Sequence, residues 1–394
     1  MRIALITHGT RDDVHPFVGL AQALIARGHT VWLCVPANLL AFAQRCGVRA
    51  DAVPTHQHRE DMLHAYRRLL LPAELIVCAR SSEDFALPFA EKWNTPLVSL
   101  HLAPFRATAD FPNARVTTRA LPFAQLNTLT HYWADGLWWK GVREDVNTVR
   151  AQLGLPKARQ STARQLAQRG AHTLHAFSPT LVTSPRDWGP TLPVLGRIRL
   201  PATPRQRADD AAATAHLASW LHADNKPVYF GLDSMPEKDP LDFLHLVSQV
   251  THQLGQRALV VADWSHRKGF ELLAPHIRVV DSVDLSWLLP QCHAAVHHGD
   301  ANTVHAVAAA GLPTVVCSVS DDQSFWGDRL ERLGVAVHLP YKKLTAKRLE
   351  VALRRVLDDA MQDAADLLAI HLCAEPDAMP HIVERLEQIG LAVK

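Results

Sequence analysis

Hydrophobic runs and amphipathic segments alternate along the first part of the chain. Ile3–Ile6 and Val31–Val35 are short apolar runs with the length of buried strands, and Pro16–Ala26 between them has helical spacing. A proline at the start of this segment and Gly28 just after it are typical of helix termini. The pattern predicts a βαβ unit of a parallel sheet, with a loop at Thr7–His15 after the first strand.

The same alternation extends to residue 197 and starts again near residue 227. Strands are predicted on either side of this break at Leu75–Val77, Leu97–His101, His175–Ser178, Pro227–Gly231, Ala258–Ala262, Ile277–Val280, Ala294–His297 and Thr314–Cys317. Helices are predicted at Ser82–Trp93, Leu241–Leu254, Thr303–Ala310, Gln323–Leu333 and Ala346–Asp358. Residues 198–222, which begin with a stretch rich in Pro, Arg, Asp and Ala, are predicted to be a linker. We therefore predict an α/β protein with two doubly wound, Rossmann-like domains that face a cleft.

Composition limits the classes of function that fit the chain. A length of 394 residues favours two domains, and a net charge of +2 is too small to predict nucleic acid as a partner. No run of roughly 18 apolar residues is present, and the run at Ile3–Ile6 is too short for a signal peptide, so we expect a cytoplasmic protein. The six cysteines form no CxxC pair and the 23 histidines lack the paired spacing of a metal site, which favours a reduced protein without a bound metal.

The segment 294–303 carries the clearest candidate chemistry. A short apolar run leads into His297, His298 and Gly299, and an alanine-rich segment follows, which predicts a strand, a tight turn and a helix N-terminus. The free backbone N–H groups and the positive dipole end of such a helix attract phosphate. The sequence therefore predicts a nucleotide or sugar-phosphate site, although Asp300 stands where a phosphate loop favours glycine.

Further motifs occur in a fixed order along nearly the whole chain. They comprise Gly9–Pro16, Ala176–Pro179 followed by Asp187 and Trp188, Pro227–Pro236, His297–Thr303, Asp321–Gly327 and the segment from Pro340 to Leu349. In these motifs the chain resembles the family 1 glycosyltransferases of the GT-B fold, in particular the branch that contains sterol glucosyltransferases, rhamnosyltransferases and glycopeptide-antibiotic glycosyltransferases. The resemblance implies an acceptor-binding domain at residues 1–197, a nucleotide-sugar-binding domain at 223–375 and a helix at 376–394 that crosses back to the first domain.

The resemblance also implies a reaction. A sugar from a nucleotide-sugar co-substrate, most often UDP-glucose in this branch, would be transferred to a hydroxyl group of a lipophilic small molecule, with inversion and without a metal or other cofactor. By motif position Asp13 would be the base that deprotonates the acceptor hydroxyl, and the flanking His8 and His15 are alternative bases. Because the acceptor is expected to be lipophilic, peripheral contact with a membrane is a further expectation.

Candidate binding residues are carried over from the same motif positions. The donor site would be formed by Arg11, Asp233, Ser234, His297, His298, Gly299, Asp300, Ala301, Asn302, Thr303, Asp322 and Gln323. For an apolar acceptor pocket the candidates are Trp133, Trp138 and Phe105. The two tryptophans lie in a segment with helical spacing, where aromatic residues are more often core residues than ligand contacts.

Acidic and amide residues replace glycines of the family pattern in four of these motifs. The replacements are Asp12, Asp233, Asp300, Asn302 and Asp321. Two charges about 4 Å apart at an effective dielectric of about 20 repel by roughly 4 kcal/mol, or about three decades in affinity for a diphosphate. In a purely structural interpretation, Asp13 and Asp322 cap helices, and Asp233 and Asp300 are turn residues. Two functions stay open: a transferase adapted to an unusual donor, or a catalytically inactive relative that binds and activates a partner transferase.

Overall fold

The chain forms two compact units in the computed structural model. One comprises Met1–Pro201 together with Pro376–Lys394, and the other comprises Ala202–Glu375. The structure describes residues 1–53, 66, 70, 73–119, 121–199, 217–222, 224–231, 240–262, 274–280 and 283–392. Within these residues no helix is both long enough and apolar enough to cross a membrane.

The first unit is built on a sheet of six parallel strands. They are β1 (Arg2–Ile6), β2 (Thr30–Pro36), β3 (Ala50–Val53), β4 (Leu75–Ala79), β5 (Leu97–His101) and β6 (Thr173–His175), in the spatial order β3-β2-β1-β4-β5-β6. Strands β1 and β4 lie at the centre, and every residue of β4 is buried. The central strands of a parallel sheet are covered on both faces, which is why continuous apolar runs predict them.

The second unit repeats this topology. Its strands are β7 (Val228–Gly231), β8 (Ala258–Val261), β9 (Ile277–Val280), β10 (Ala294–His297), β11 (Thr314–Val316) and β12 (Ala336–His338), in the order β12-β11-β10-β7-β8-β9. Counted from its own first strand, this order is the same as that of the first sheet. Two doubly wound parallel sheets confirm the predicted fold class.

The helices of the first unit connect its strands. They are α1 (Arg11–Ala26), α2 (Leu40–Arg45), α3 (Glu83–Trp93), α4 (Ala124–Gln152) and α5 (Thr162–Gln168). Helix α1 begins five residues before the predicted start at Pro16, so most of the predicted loop is helical. The earlier start is stabilised by a capping box, in which the side chains of Thr10 and Asp13 each accept a backbone N–H of the other residue.

One predicted strand is displaced. The sequence predicts a strand at His175–Ser178, whereas β6 spans Thr173–His175. Beyond β6 the hydroxyl group of Ser178 accepts the backbone N–H groups of Thr180 and Leu181. These local bonds turn the chain and prevent the strand from extending further.

Some helices of the second unit also begin earlier than predicted. The helices of this unit are α6 (Pro240–Gln253), α7 (Leu285–Leu288), α8 (Ala301–Ala309), α9 (Asp321–Arg332), α10 (Ala346–Val356) and α11 (Asp359–Ala374). Helix α8 begins two residues early because Asp300 caps it. Helix α9 does so because Ser320 and Gln323 form a capping box. The interpretation of Asp13 and Asp322 as N-caps is therefore wrong, since both lie inside the first turn of their helices and the N-caps are Thr10 and Ser320. Asp13 still takes part in the capping box as its third helical residue.

The last helix, α12 (Ala378–Ala392), packs within the first unit. Leu386 is fully buried in the same hydrophobic cluster as Leu24 of α1. Nearby, the carboxylate of Glu387 accepts two hydrogen bonds from the guanidinium group of Arg27, at 3.3 and 2.7 Å. Because an exposed ion pair adds little to stability, the buried apolar contacts are what hold α12 in place.

Replacing Leu386 with alanine is expected to destabilise the first unit by about 2–5 kcal/mol, because the shortened side chain leaves a cavity in a buried cluster. Leu391 lies in the same helix and is 63% exposed, so Leu391→Ala should change the free energy of unfolding by less than about 0.5 kcal/mol. Urea unfolding followed by circular dichroism measures both variants. Equal effects of the two substitutions would contradict this packing of α12.

Candidate functional site

In each sheet the strand order changes direction at one point. Many of the predicted site residues lie near one or the other of these two points. In the first sheet the reversal falls between β1 and β4, and in the second between β7 and β10. Ligands of open α/β sheets bind beyond the carboxyl ends of the strands at such a switch point. The residues that follow these four strands are therefore the candidates in each unit. Two of them, Asp233 and Ser234 after β7, lie outside the described residues.

The turn after β1 is shaped by a glycine and a carboxylate. Gly9 has a φ of +128°, which side chains rarely adopt, and a Cβ atom there would lie 2.1 Å from Oδ2 of Asp13. That oxygen accepts the backbone N–H of Thr10 at 2.8 Å and its hydroxyl group at 3.3 Å. The predicted base is thus held, half-buried, at the N-terminus of α1, where the helix dipole favours its negative charge.

His8, an alternative base, is anchored to the end of the neighbouring strand. Its Nδ1 lies 2.9 Å from Oγ of Ser82, and the hydroxyl group of Ser81 donates to the His8 carbonyl group at 2.9 Å. Sequence analysis does not single out these two serines. Their position just after β4, at the carboxyl edge of the sheet, is the feature that would have identified them.

Arg11 and His15 both contact the ring of Phe42. The guanidinium carbon of Arg11 lies 4.7 Å from the ring centroid, and the His15 ring packs edge-on at 5.6 Å. Burial, with a smaller contribution from the charge of Arg11, lowers the pKa of His15 to about 4. Because a group with this pKa is a weak proton acceptor at neutral pH, the environment of His15 disfavours it as the base.

A buried ionic cluster follows the end of β4. Glu83, next to Ser82, is fully buried; it accepts a hydrogen bond from Arg106 at 2.6 Å and lies 2.8 Å from Nε2 of His101. Burial alone would raise the pKa of Glu83, but the charges of Arg106 and its other neighbours hold it well below its usual range. A buried carboxylate with satisfied bonds keeps one position. The cluster therefore fixes Ser82 and, through it, His8.

In the second unit the histidine pair of the 294–303 segment spans the switch point. His297, the last residue of β10, is fully buried, and its ring nitrogens have no hydrogen-bond partner among the described residues. Burial lowers the pKa of His297 to about 3. His298 Nδ1 lies 3.4 Å from the carbonyl oxygen of Gly231, the last residue of β7. His298, whose Nε2 lies 3.2 Å from Oδ2 of Asp300 at the start of α8, is therefore the better candidate for a phosphate donor.

The carboxylate of Asp300 occupies the N-terminus of α8. Its Oδ1 accepts the backbone N–H of Thr303 at 3.0 Å, and its Oδ2 lies 3.2 Å from Nε2 of His298. Burial would raise the pKa of Asp300, but His298 and Thr303 lower it to about 2. Ala301 and Asn302 form the first turn of the helix. A side-chain carboxylate thus stands where the sequence predicts a phosphate.

A second predicted donor motif lies against this loop. Gly299 has a φ of +97°, and a Cβ atom there would lie 2.7 Å from Cγ1 of Val316 and 3.2 Å from the backbone oxygen of Gln323. The side-chain oxygen of Gln323 accepts the backbone N–H of Ser320 at 3.2 Å. The hydroxyl group of Ser320 also donates to Asp322. The fold therefore brings the histidine–glycine loop and the start of α9 together within one unit.

The predicted acceptor residues have different surroundings. Trp138 of α4 is 37% exposed, and its indole N–H donates to Asp84 at 2.7 Å. Phe105 packs edge-on against His101, with ring centroids 5.6 Å apart. Trp133, also in α4, is 57% exposed. Neither tryptophan is a core residue, although aromatic residues at helical spacing usually are.

A serine–histidine pair that sequence analysis misses lies at the carboxyl ends of β11 and β12. Ser318 Oγ is 2.7 Å from Nε2 of His338, and burial lowers the pKa of this histidine. Gly327 leaves room for the ring, because a Cβ atom there would lie 2.6 Å from it. His101, His297 and His338 are each the last residue of a strand. A histidine that ends an apolar run is the sequence feature that could have found this pair.

Comparisons with known proteins find two family models that match the chain. Residues 3–78 match the glycosyltransferase family 28 N-terminal domain, and residues 246–389 match the erythromycin biosynthesis protein CIII-like C-terminal domain. An uncharacterized glycosyltransferase of Mycobacterium tuberculosis is 29% identical over 393 residues, which cover 91% of each chain. A sterol 3-beta-glucosyltransferase of Arabidopsis thaliana is 27% identical over 421 residues, which cover 94% of this chain and 62% of that one.

Solved structures share the fold. The kitacinnamycin glycosyltransferase has a TM-score of 0.67, with 18% identity and 98% of both chains covered. The Streptomyces glycosyltransferase SsfS6, complexed with thymidine diphosphate, has a TM-score of 0.60, with 18% identity and coverage of 98% of this chain and 99% of that one. Two doubly wound parallel sheets, each with its own switch point, define a two-domain α/β fold. With both matched domains, the chain is a glycosyltransferase of the GT-B type.

The buried, neutral state of His297 predicts a pH dependence of stability. Its pKa of about 3 lies below the ordinary value of 6.5, so between these values only the unfolded chain takes up this proton, and stability falls as the pH is lowered. His297→Leu removes the group and should flatten the decline in unfolding free energy from about pH 7 to about pH 5. Chemical denaturation at the two pH values tests this. A decline as steep as that of the wild type would refute a buried neutral imidazole.

Proposed function

We propose that the chain transfers a sugar from a nucleoside diphosphate sugar, most simply of the UDP-glucose type, to a hydroxyl group of a lipophilic small molecule. Transfer would invert the anomeric centre and need no metal ion. The observation that carries the proposal is the loop from His297 to Thr303, which joins β10 at the switch point to the N-terminus of α8. Backbone N–H groups and the positive end of a helix dipole suit a diphosphate. A structural neighbour that holds thymidine diphosphate supports this class of donor.

The loop would stabilise the negative charge that develops on the diphosphate as it leaves. His298 is the side chain best placed to donate to it, because its Nε2 lies beside the start of α8. Gln323 lies against Gly299 of the same loop, and its amide nitrogen takes no part in the capping box. We propose that Gln323, with Asp322, hydrogen-bonds the hydroxyl groups of the sugar.

Asp13 is the proposed base. Its carboxylate would take the proton of the acceptor hydroxyl while the oxygen of that group bonds to the anomeric carbon and the bond from that carbon to the diphosphate breaks. The carboxylate sits at the start of α1, just beyond the carboxyl end of β1, and the capping bonds from Thr10 hold it in one rotamer. His8 is the alternative, since Ser82 also holds its ring in place.

Asp300 weakens the proposed donor site without removing it. Its carboxylate uses the N–H of Thr303 and the imidazole of His298, which are groups that a phosphate would use. An incoming diphosphate must therefore displace the carboxylate or share these donors with it. A hydrogen bond donated by His298 and the dipole of α8 would offset part of the repulsion.

Asp13→Asn is expected to lower kcat by about 10²–10⁴-fold, because the amide keeps the shape and capping ability of the carboxylate but accepts no proton. The dissociation constant of UDP or dTDP should stay within about twofold of the wild-type value. Transfer assays with a panel of UDP- and dTDP-sugars measure the first value, and calorimetry the second. His8→Asn serves as the parallel variant. Loss of activity there, with Asp13→Asn fully active, would assign the base to His8.

Asp300→Asn is expected to tighten binding of UDP or dTDP by about tenfold or more, because asparagine still caps α8 while the repelling charge is gone. The matched control is Asp284→Asn, since Asp284 caps α7 in the same unit by accepting the N–H of Ser286 at 2.9 Å. Its nucleotide affinity should equal that of the wild type.

Calorimetry of the three proteins separates the two functions that the sequence leaves open. Weaker nucleotide binding by Asp300→Asn would show that the carboxylate is an adapted part of the donor site. An absence of binding by the wild type and by Asp300→Asn would overturn the transferase proposal. It would favour a relative that binds a partner transferase.

A further inference from the structure

The first half of α4 has its apolar side turned to solvent. Leu126, Leu129, Trp133 and Leu137 recur at helical spacing and form what we call the apolar stripe. Their exposed fractions are 37%, 58%, 57% and 45%. Phe123, the residue before the helix, is 66% exposed. A surface helix ordinarily buries a side of this composition, so this exposure needs an explanation.

The buried side of the same helix segment is polar. Asn127 donates to the carbonyl group of Ala109 at 2.8 Å, and Nε2 of His131 lies 3.0 Å from the carbonyl oxygen of Phe111. These contacts satisfy backbone groups of the segment that precedes the helix. Rotating α4 to bury the apolar stripe would break them. The contacts of Asn127 and His131 therefore keep the apolar stripe on the solvent side of α4.

Cationic side chains accompany the apolar stripe. Between residues 115 and 145 the acidic residues are Asp135 and Asp145, which are half-buried, and Glu144, which is exposed. The guanidinium group of Arg164 lies 5.3 Å from the ring of Tyr132, which is 46% exposed beside the stripe. The exposed cations of this region are Arg115, Arg119, Lys140, Arg143 and Arg164.

We propose that the apolar stripe docks the protein on an anionic lipid bilayer, with α4 lying in the plane of the interface. Leucine, tryptophan and tyrosine beside arginine and lysine are the side chains that insert at such an interface and attract anionic headgroups. The stripe covers about 16 Å of helix axis, which is long enough for several side chains to insert side by side. Because the exposed charges beside the stripe are mostly positive, they attract anionic lipid and repel a second copy of the same surface.

The test measures binding alone, so its result does not depend on the proposed transfer reaction. Vesicles of phosphatidylcholine with about 30% phosphatidylglycerol are sedimented with the full chain. The variant Leu126→Glu/Leu129→Glu places two charges on the apolar stripe without touching the candidate acceptor residues. The matched control is Leu367→Glu/Ile370→Glu in α11, where the two side chains are 59% and 66% exposed. Circular dichroism and thermal unfolding establish that both variants are folded.

The wild type and the α11 control are expected to bind these vesicles, and the α4 variant to bind at least about tenfold more weakly. Pure phosphatidylcholine vesicles, or salt raised from about 50 to about 500 mM, should also weaken wild-type binding. The proposal is overturned if the wild type does not sediment with anionic vesicles, or if the α4 variant binds as well as the wild type. It is also overturned if ultracentrifugation shows a dimer that only the α4 variant disrupts, since the stripe would then be a protein interface.

Discussion

The passage from a buried parallel strand into a helix is the constraint on which both candidate sites depend. The start of a helix leaves backbone N–H groups without partners, and the tight turn before it requires a glycine with positive φ. The first unit meets this requirement with Gly9 and the carboxylate of Asp13, and the second with Gly299 and the carboxylate of Asp300. The acidic side chains at the two switch points are therefore structural groups as well as candidates for chemistry.

This double role explains why an acidic residue is tolerated in a loop whose family pattern has glycine. In the second unit Asp300 satisfies the N–H of Thr303 and lies beside His298, and these contacts keep its pKa near 2. The groups that attract a phosphate also hold the carboxylate. A diphosphate donor must therefore compete with Asp300 for the same N–H groups and the same imidazole. The free energy that this competition costs depends on the charge of the Asp300 side chain.

Apart from the loops, the site residues are positioned by buried polar contacts. Glu83 with Arg106 and His101 forms a cluster that fixes the serine beside His8. His297, which ends β10, is buried and neutral at the carboxyl edge of the second sheet. Both features follow from a parallel sheet whose strand ends meet at one edge, because polar residues just after a buried strand are carried into the interior by the packing of the helices.

The sequence alone predicts most of the strands, the two-domain α/β class and the turn at the end of β10, because buried parallel strands and tight turns have strong local patterns. It misses the edge strands β3 and β12, which are short. It misplaces the starts of α1, α8 and α9, since caps such as Thr10 and Ser320 act upstream of the apolar periodicity. Only the tertiary structure reveals that Ser82 holds His8, 74 residues away, and that α4 turns its leucines outward. The physical reason is that local patterns report which residues can share a helix or strand. Which side of α4 is buried was decided by the carbonyl groups of residues 109–111, whose bonds to α4 form only in the folded chain.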